Sequence, residues 1–366
     1  MHNSHTYVPM LKYKDAEVFA FRNLKPELKS NVVPLFQLVH QYWTEVAKDE
    51  EGNLIKVRHK RSKSEVLQNV IADIRRKLCD AWILLDVSII FPNSKEMAWK
   101  EVAESSTSLF GNKIILVLNP NDLTSCKPSQ SVKDFFLKNG IALRAYKDQL
   151  TEKFWGTVDD SLLNLGLERS KVDLILDYQL CDQETKRQMN EQFDNITRLI
   201  GWRSLTLTAG SFIENLTGMK PGNHDLPRTE WILWNEILSN NRENLDKLRF
   251  GDYTIQFPIY SESPAQPRGS RSVRYAKEEK WVVLKGQTDD AKNSAKTKQY
   301  YAHALVLVNG GIYCGSSCCW GDKFIFDISN KTIKSYGGLT TWLRVGINHH
   351  MSLTIGQLAS LGQISD

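Results

Sequence analysis

No apolar run in this 366-residue chain approaches the roughly 20 residues a helix needs to cross a bilayer, so no membrane-spanning helix and no membrane partner are expected. The amino terminus, MHNSHTYVPM, lacks a basic stretch leading into an apolar core. That argues against a secretory leader and leaves the cytoplasm as the expected compartment. Several familiar chemistries are missing as motifs: there is no GxxxxGK[ST] phosphate loop, no HExxH, no GxSxG elbow and no GxGxxG following a strand. Low-complexity tracts are absent. Neither sign of charge dominates, and a net charge of +5 is too mild to imply nucleic acid by itself. A hydrophobic fraction of 41% with 24% charged residues suits an ordinary globular chain, long enough for one large barrel with an insertion or for two domains.

Cysteine is sparse. Cys79, Cys126 and Cys181 stand alone, whereas Cys314, Cys318 and Cys319 fall within six residues. A Cys-x3-Cys-Cys cluster invites a zinc reading. No second ligand pair lies at finger spacing, however, and His349 and His350 are about thirty residues away, so the expectation is buried free thiols near a sheet and no assigned metal ligands. Basic residues gather in two places, KVRHKRSKSE (Lys56–Glu65) and Lys292–Lys298; both read as solvated loops before they read as phosphate-binding patches.

What the chain does have is a rhythm. Short apolar runs recur at Tyr7–Lys12, Val32–Leu38, Ala81–Val87, Lys113–Leu118, Ile141–Tyr146, Val172–Leu176, Ser204–Thr208 and Tyr253–Ile259, mostly followed by segments with helical spacing. Continuous apolar strands linked by crossover helices are what a parallel sheet buried on both faces requires. Eight units predict an α/β fold of the closed (β/α)8 TIM-like type, with polar strand ends converging on one mouth. Residues 42–63 form a basic connection too long for a plain βα loop, expected to reach over that mouth. Helices are expected around Ser94–Leu109, Ser129–Asn139, Asp159–Leu165, Thr185–Leu199 and Asp225–Ser239, with Ser64 as an N-cap for the one before Ala81. After Tyr260 the periodicity breaks. SVRYAKEEKWVVLKG reads as an antiparallel hairpin, KQYYAHALVLV as a helix, GDKFIFDI as a strand, and HHMSLTIGQLASL as the closing helix. The economical reading is a single barrel over residues 1–366, with residues 261–340 elaborating the last βα connection.

Seven segments, in order, resemble the beta-protein family of phages and bacteria: YVPMLKYKDAEVFAFRNL, VVPLF, PRTEWILW, RFGDYTI, VRYAKEEKWVVLKG, YCGSSCCWGDKFI and TTWLRVGINHH. The likeness covers nearly the whole chain. It implies a protein linked to phages or mobile elements and acting in conflict between phage and host, such as anti-phage defence, without a settled reaction. The family often carries a carboxylate after PLF, where this chain has Gln37.

Candidate site residues follow from the barrel. Lys12 and Lys14 close the first strand, and Glu17 lies one helical step beyond Lys14, close enough to fix a lysine that holds an anion or to form a surface ion pair. Asp86 and Asp177 end unbroken apolar strands. They could share a divalent metal, orient a hydroxyl or pair with Arg274; the bland alternative is that each caps the following N–H groups. Ser211, in TAGS at the end of the seventh strand, stands where barrels often bind phosphate. Asp252 in FGDY is expected at the start of strand eight, away from the mouth, in a structural role. The late connection adds Arg274, Lys285 and Arg344, which suit phosphate or carboxylate, and His349 and His350, which point about 100° apart on a helix and cannot easily chelate one metal together. Trp320–Lys323 reads as a tight turn.

Two functions fit. In the first, the mouth binds a phosphorylated small molecule or nucleotide through Lys12, Lys14, Arg274 and Arg344, with Asp86, Asp177 and one histidine supplying acid–base or metal chemistry. In the second, the barrel is a non-catalytic module that binds a phage or host protein, or nucleic acid through Lys56–Lys63.

Overall fold

A computed structural model describes residues 7–49, 51, 53–78, 80–105, 113–193, 196–241, 248–262, 269–287 and 296–362. Its strands, in chain order, are β1 (Val8–Lys12), β2 (Leu35–Gln37), β3 (Tyr42–Lys48), β4 (Leu54–Lys60), β5 (Ile83–Asp86), β6 (Ile114–Leu118), β7 (Ile141–Tyr146), β8 (Val172–Leu180), β9 (Ser204–Gly210), β10 (Gly222–Pro227), β11 (Leu248–Asp252), β12 (Val273–Lys277) and β13 (Lys280–Lys285). Eight of them close a parallel barrel in the order β1-β11-β9-β8-β7-β6-β5-β2. The chain is a TIM-like (β/α)8 barrel.

Side chains alternate across each strand, so the barrel interior is filled in layers. The middle layer is apolar, with Val8, Met10, Leu35, Leu84, Ile115, Ala142 and Ile175 in one buried cluster. The opposite faces, such as Leu11, Phe36, Leu85, Leu143 and Leu176, pack in the larger cluster beneath the surrounding helices. Local signals set the helix starts. Ser62, not Ser64, caps α3 (Lys63–Lys77), in a reciprocal box with Glu65. Asn119 does the same for the short helix Pro120–Ser125. Gly140 sits at φ +73 where the helix Gln130–Asn139 turns into β7, a conformation glycine takes without a Cβ penalty.

Other sequence expectations need correction, among them the helix expected at Thr185–Leu199, which is Gln183–Phe193. Strand eight is Leu248–Asp252, not Tyr253–Ile259, so Asp252 lies at the mouth end. Residues 222–227 form β10, which pairs with β13 in the sheet β10-β13-β12, and the helix after it starts only at Thr229. The segment GDKFIFDI belongs to a helix, Trp320–Ser329, so Trp320–Lys323 is its first turn and no strand follows. The helix expected at Asp159–Leu165 begins earlier and spans Glu152–Asn164. The segment beyond Ser105 in the expected Ser94–Leu109 helix, most of Lys292–Lys298, and Cys79 lie outside the described residues. Residues 42–60 form an antiparallel two-stranded hairpin, β3–β4.

The late connection builds a second layer. Helices Lys296–Asn309 and Trp320–Ser329 pack with one face of β12 and β13, through Val273, Tyr275, Val282 and Leu284, in a second core. The other face of that sheet, with Ala276, Trp281 and Val283, joins the barrel-side core. The last helix, α12 (Leu339–Ser360), packs against the helix Asp15–Arg22 and against β12. Close approach is enforced by glycine: a Cβ at Gly346 would stand 2.8 Å from the Arg274 carbonyl oxygen, and one at Gly321 would stand 2.5 Å from that of Val345.

Candidate functional site

Strands β5 and β11 end in aspartate, β8 carries one where its register shifts, and the three share one local geometry. Asp86, Asp177 and Asp252 each accept the backbone N–H two residues on, from Ser88, Gln179 and Thr254, at 2.8–2.9 Å. This satisfies donors released where the ladder stops. The remaining carboxylate atoms differ in use. Asp86 and Asp177 point inward, and Arg144 of β7 bridges them, with Nη1 2.8 Å from Asp86 Oδ2 and Nε 2.7 Å from Asp177 Oδ2. Tyr253 donates to Asp177 at 2.6 Å and accepts from Arg144 at 2.9 Å. Gln37 Nε2 lies 3.5 Å from Asp86 Oδ2, so the amide at this position meets the carboxylate where an acid would repel it. The group is buried, and the space beside Asp86 and Arg144 holds only about 20 Å3, room for about one water.

The large opening lies to one side of the mouth. A cleft of about 750 Å3 is lined by Lys12, Lys14, Glu17, Gln256, Arg274 and Lys285, with Tyr260 on its wall. The end of β1 supplies Lys12, and the first turn of the following helix supplies Glu17. Alternation along β12 sends Val273 and Tyr275 into the second core and leaves Arg274 on the opposite face. Arg274 donates to the Ile255 carbonyl at 2.8 Å and lies 4.5 Å over the Phe212 ring. Among the described residues no carboxylate pairs with it. Burial lowers Arg274 to about 10. Burial likewise lowers Lys12 to about 8, against the pull of Glu17 and with the push of Lys14 and Arg274. Lys12 reaches Gln256 at 3.4 Å, and Gln256 donates to Glu17 at 2.8 Å. The other Glu17 oxygen has no hydrogen-bond partner among the described residues, and burial raises this carboxyl. Lys12 and Lys14 stand 5.8 and 5.7 Å from the Tyr260 ring centre, and Lys285 donates to the Leu216 carbonyl.

Lys12, Lys14, Glu17, Arg274 and Lys285 therefore share one cleft, while Asp86 and Asp177 are enclosed on the barrel axis. The other candidates are elsewhere. Ser211 bonds Glu230 and the Pro227 carbonyl. Arg344 pairs with Asp15 and covers Phe19. His349 and His350 are both fully buried on α12 and face different neighbours. His349 contacts Asp322 through Nδ1 at 2.9 Å and the Ala276 carbonyl through Nε2 at 2.8 Å, both acceptors, which calls for the doubly protonated ring. The neighbouring carboxylate accordingly raises its pKa against the effect of burial. His350 meets Asp252 at 2.7 Å, and there burial prevails and lowers its pKa.

This arrangement occurs in a chain whose residues 7–355 match the profile of the Beta protein family. The chain belongs to that family. No curated protein matches it. Arg144, Gln256 and Tyr260 of this chain are not singled out by sequence. Arg144 carried a signal, since a lone guanidinium inside the apolar strand IALRAY must find buried carboxylates. For Gln256 and Tyr260, which follow strand eight, the misplaced strand hid the position. Among the described residues no helix is long and apolar enough to cross a membrane.

Proposed function

We propose that the cleft beside the barrel mouth binds a phosphorylated small molecule or nucleotide, with Lys12, Lys14, Arg274 and Lys285 as its anion ligands. The observation that carries this reading is Arg274, a partly buried guanidinium with a carbonyl and an aromatic face for company but, among the described residues, no carboxylate. An uncompensated cation in such a place is costly until an anion arrives. Among the described residues, four cationic side chains line the cleft against two carboxylates, Glu17 and the rim residue Glu214. Tyr260 offers a ring against which a base or sugar can lie. Any acid–base step would fall to Lys12 and Glu17, whose protonation equilibria burial moves toward neutrality. Asp86 and Asp177 are committed to Arg144. The role in phage–host conflict suggested by family resemblance supplies the setting for this reading.

The test is a thermal-shift and calorimetric panel of nucleotides, sugar phosphates and inorganic phosphate on wild-type protein and Arg274→Ala. Stabilisation by a phosphorylated class, weakened at least tenfold in the variant, is expected. No shift with any class, or a shift indifferent to Arg274→Ala, overturns the reading.

A second reading, nucleic-acid binding, is favoured by one observation. The β3–β4 hairpin carries Lys56, Arg58 and Lys60 on alternate positions, hence on one face, and leaves Trp43, Val46, Leu54 and Ile55 exposed.

A further inference from the structure

The second layer gathers chemistry that the cleft does not use. Cys318 Sγ, Cys319 Sγ and a carboxylate oxygen of Asp322 all lie within 4.8 Å of one another. Cys314 adjoins them, its side chain hydrogen-bonded to that of Cys318. Three cysteines near one another in sequence thus meet a carboxylate from the next helical turn, and His349, remote in sequence, closes the group from behind.

Helix capping explains only part of this. Cys319 is the N-cap of the helix Trp320–Ser329: its sulfur accepts the Asp322 N–H at 3.3 Å and lies 3.1 Å from Asp322 Oδ2. Serine would do this better, because sulfur is a weak acceptor. The cap also has no use for Cys314 or Cys318. Asp322, meanwhile, is held more firmly than a cap requires. Tyr275 donates to Oδ1 at 2.8 Å and His349 to Oδ2 at 2.9 Å, and His349 is itself fixed by the Ala276 carbonyl and stacked on Tyr275 with ring centres 3.7 Å apart. A carboxylate oriented by a second set of hydrogen bonds, beside thiols at ligand-like separation, is how proteins prepare a metal ligand.

We propose that Cys318, Cys319 and Asp322, with Cys314 as fourth donor, form a site for a thiophilic divalent cation, of which Zn2+ fits the donor set best. Thiolate-rich tetrahedral sets of this kind select zinc, and a closed set marks a structural site. The ion replaces the thiol protons of the three cysteines, which pass to solvent; no electron is transferred. Each Asp322 oxygen keeps a lone pair beyond those used by Tyr275 and His349. The imidazolium of His349 and the N-terminal end of the helix offset the negative charge of the ligand set. Such an ion would tie the loop at Cys314 to the start of the helix and, through Asp322 and His349, to α12.

The test is metal analysis by mass spectrometry of the full chain, purified without chelator, followed by Co2+ exchange. One zinc per chain, and intense near-ultraviolet thiolate-to-Co2+ bands with tetrahedral visible bands, are expected. Both should fall at least tenfold in Cys318→Ser and persist in Cys126→Ser, whose thiol lies elsewhere. If Cys318→Ser does not fold, zinc protection of wild-type thiols from a disulfide reagent reads the same claim. Absence of bound metal together with absence of thiolate–Co2+ bands overturns the proposal. So does unaltered reagent access with zinc present, or a Cys314–Cys318 disulfide in the protein as isolated.

Discussion

Glu230 shows what the interior of this molecule does to a single acid. It lies buried between Ser211, which donates to it, and Arg228, whose Nε is 3.7 Å away. Burial raises it from 4.5 to about 7, with Arg228 pulling down and Asp252 pushing up. The folded state therefore holds a proton that the unfolded state has already lost between those values. Stability falls as pH rises from about 4.5 to about 7, by roughly 3 kcal/mol at most. Urea unfolding at several pH values should show this slope, and Glu230→Gln should flatten it. An identical slope in the variant contradicts the assignment. The strand-end aspartates were readable at this same scale, because an acid closing an apolar run must have a partner. Their partner was not readable. Arg144 is one letter in a strand, and only the barrel's closure brings it between Asp86 and Asp177.

Among elements, the β3–β4 hairpin is the least supported. Two strands alone are marginal in water, and most of its side chains are exposed. What orders it locally is aromatic: Trp43 stacks on His59 at 4.5 Å, and Arg58 covers Tyr42 at 3.6 Å. If its basic face binds nucleic acid, replacing Lys56, Arg58 and Lys60 by Gln should reduce binding of single-stranded RNA or DNA at least tenfold and make the salt dependence shallower. Filter binding across a salt series measures this. Binding unchanged by the triple variant, or none by the wild type, removes the second reading. The elements misread from sequence have more than one cause. The segment GDKFIFDI alternates like a strand, but Cys319 caps it into a helix. Asp225–Pro227, expected as the start of a helix, belongs instead to β10, which pairs with the edge of β13. Strand eight was expected at the apolar run Tyr253–Ile259 but is Leu248–Asp252, just before it; a Cβ at Gly251 would stand 2.9 Å from Thr208 Oγ1 inside the barrel, so glycine is what lets this strand fit. Period and composition report only part of this: a local cap decides the helix at Trp320, and pairing partners distant in sequence decide β10 and strand eight.

At the scale of the whole molecule, the barrel places two sets of charge differently. On the axis, Arg144 bridges Asp86 and Asp177 in a space with room for only about one water. Beside the mouth, the late connection brings Arg274 and Lys285 over Lys12 and Lys14 and leaves the cations in excess. Seven of the eight barrel strands were legible in place and the eighth was displaced by one run, so the barrel could be read from sequence, and with it the position of Lys12, Lys14 and Glu17. The cleft itself was not, since it exists only because the β10-β13-β12 sheet folds back on the barrel. On the function proposed here, this cleft is a partly buried, cation-rich site awaiting an anion. Competitive amine labelling of Lys12, followed by mass spectrometry from pH 6 to 11, tests it most directly. Lys12 is expected to titrate at about 8 in the free protein. A phosphorylated ligand should raise this value and protect the amine, so that affinity weakens as pH climbs past it. A Lys12 that titrates near 10.5, with the same reactivity whether or not phosphorylated compounds are present, would contradict it.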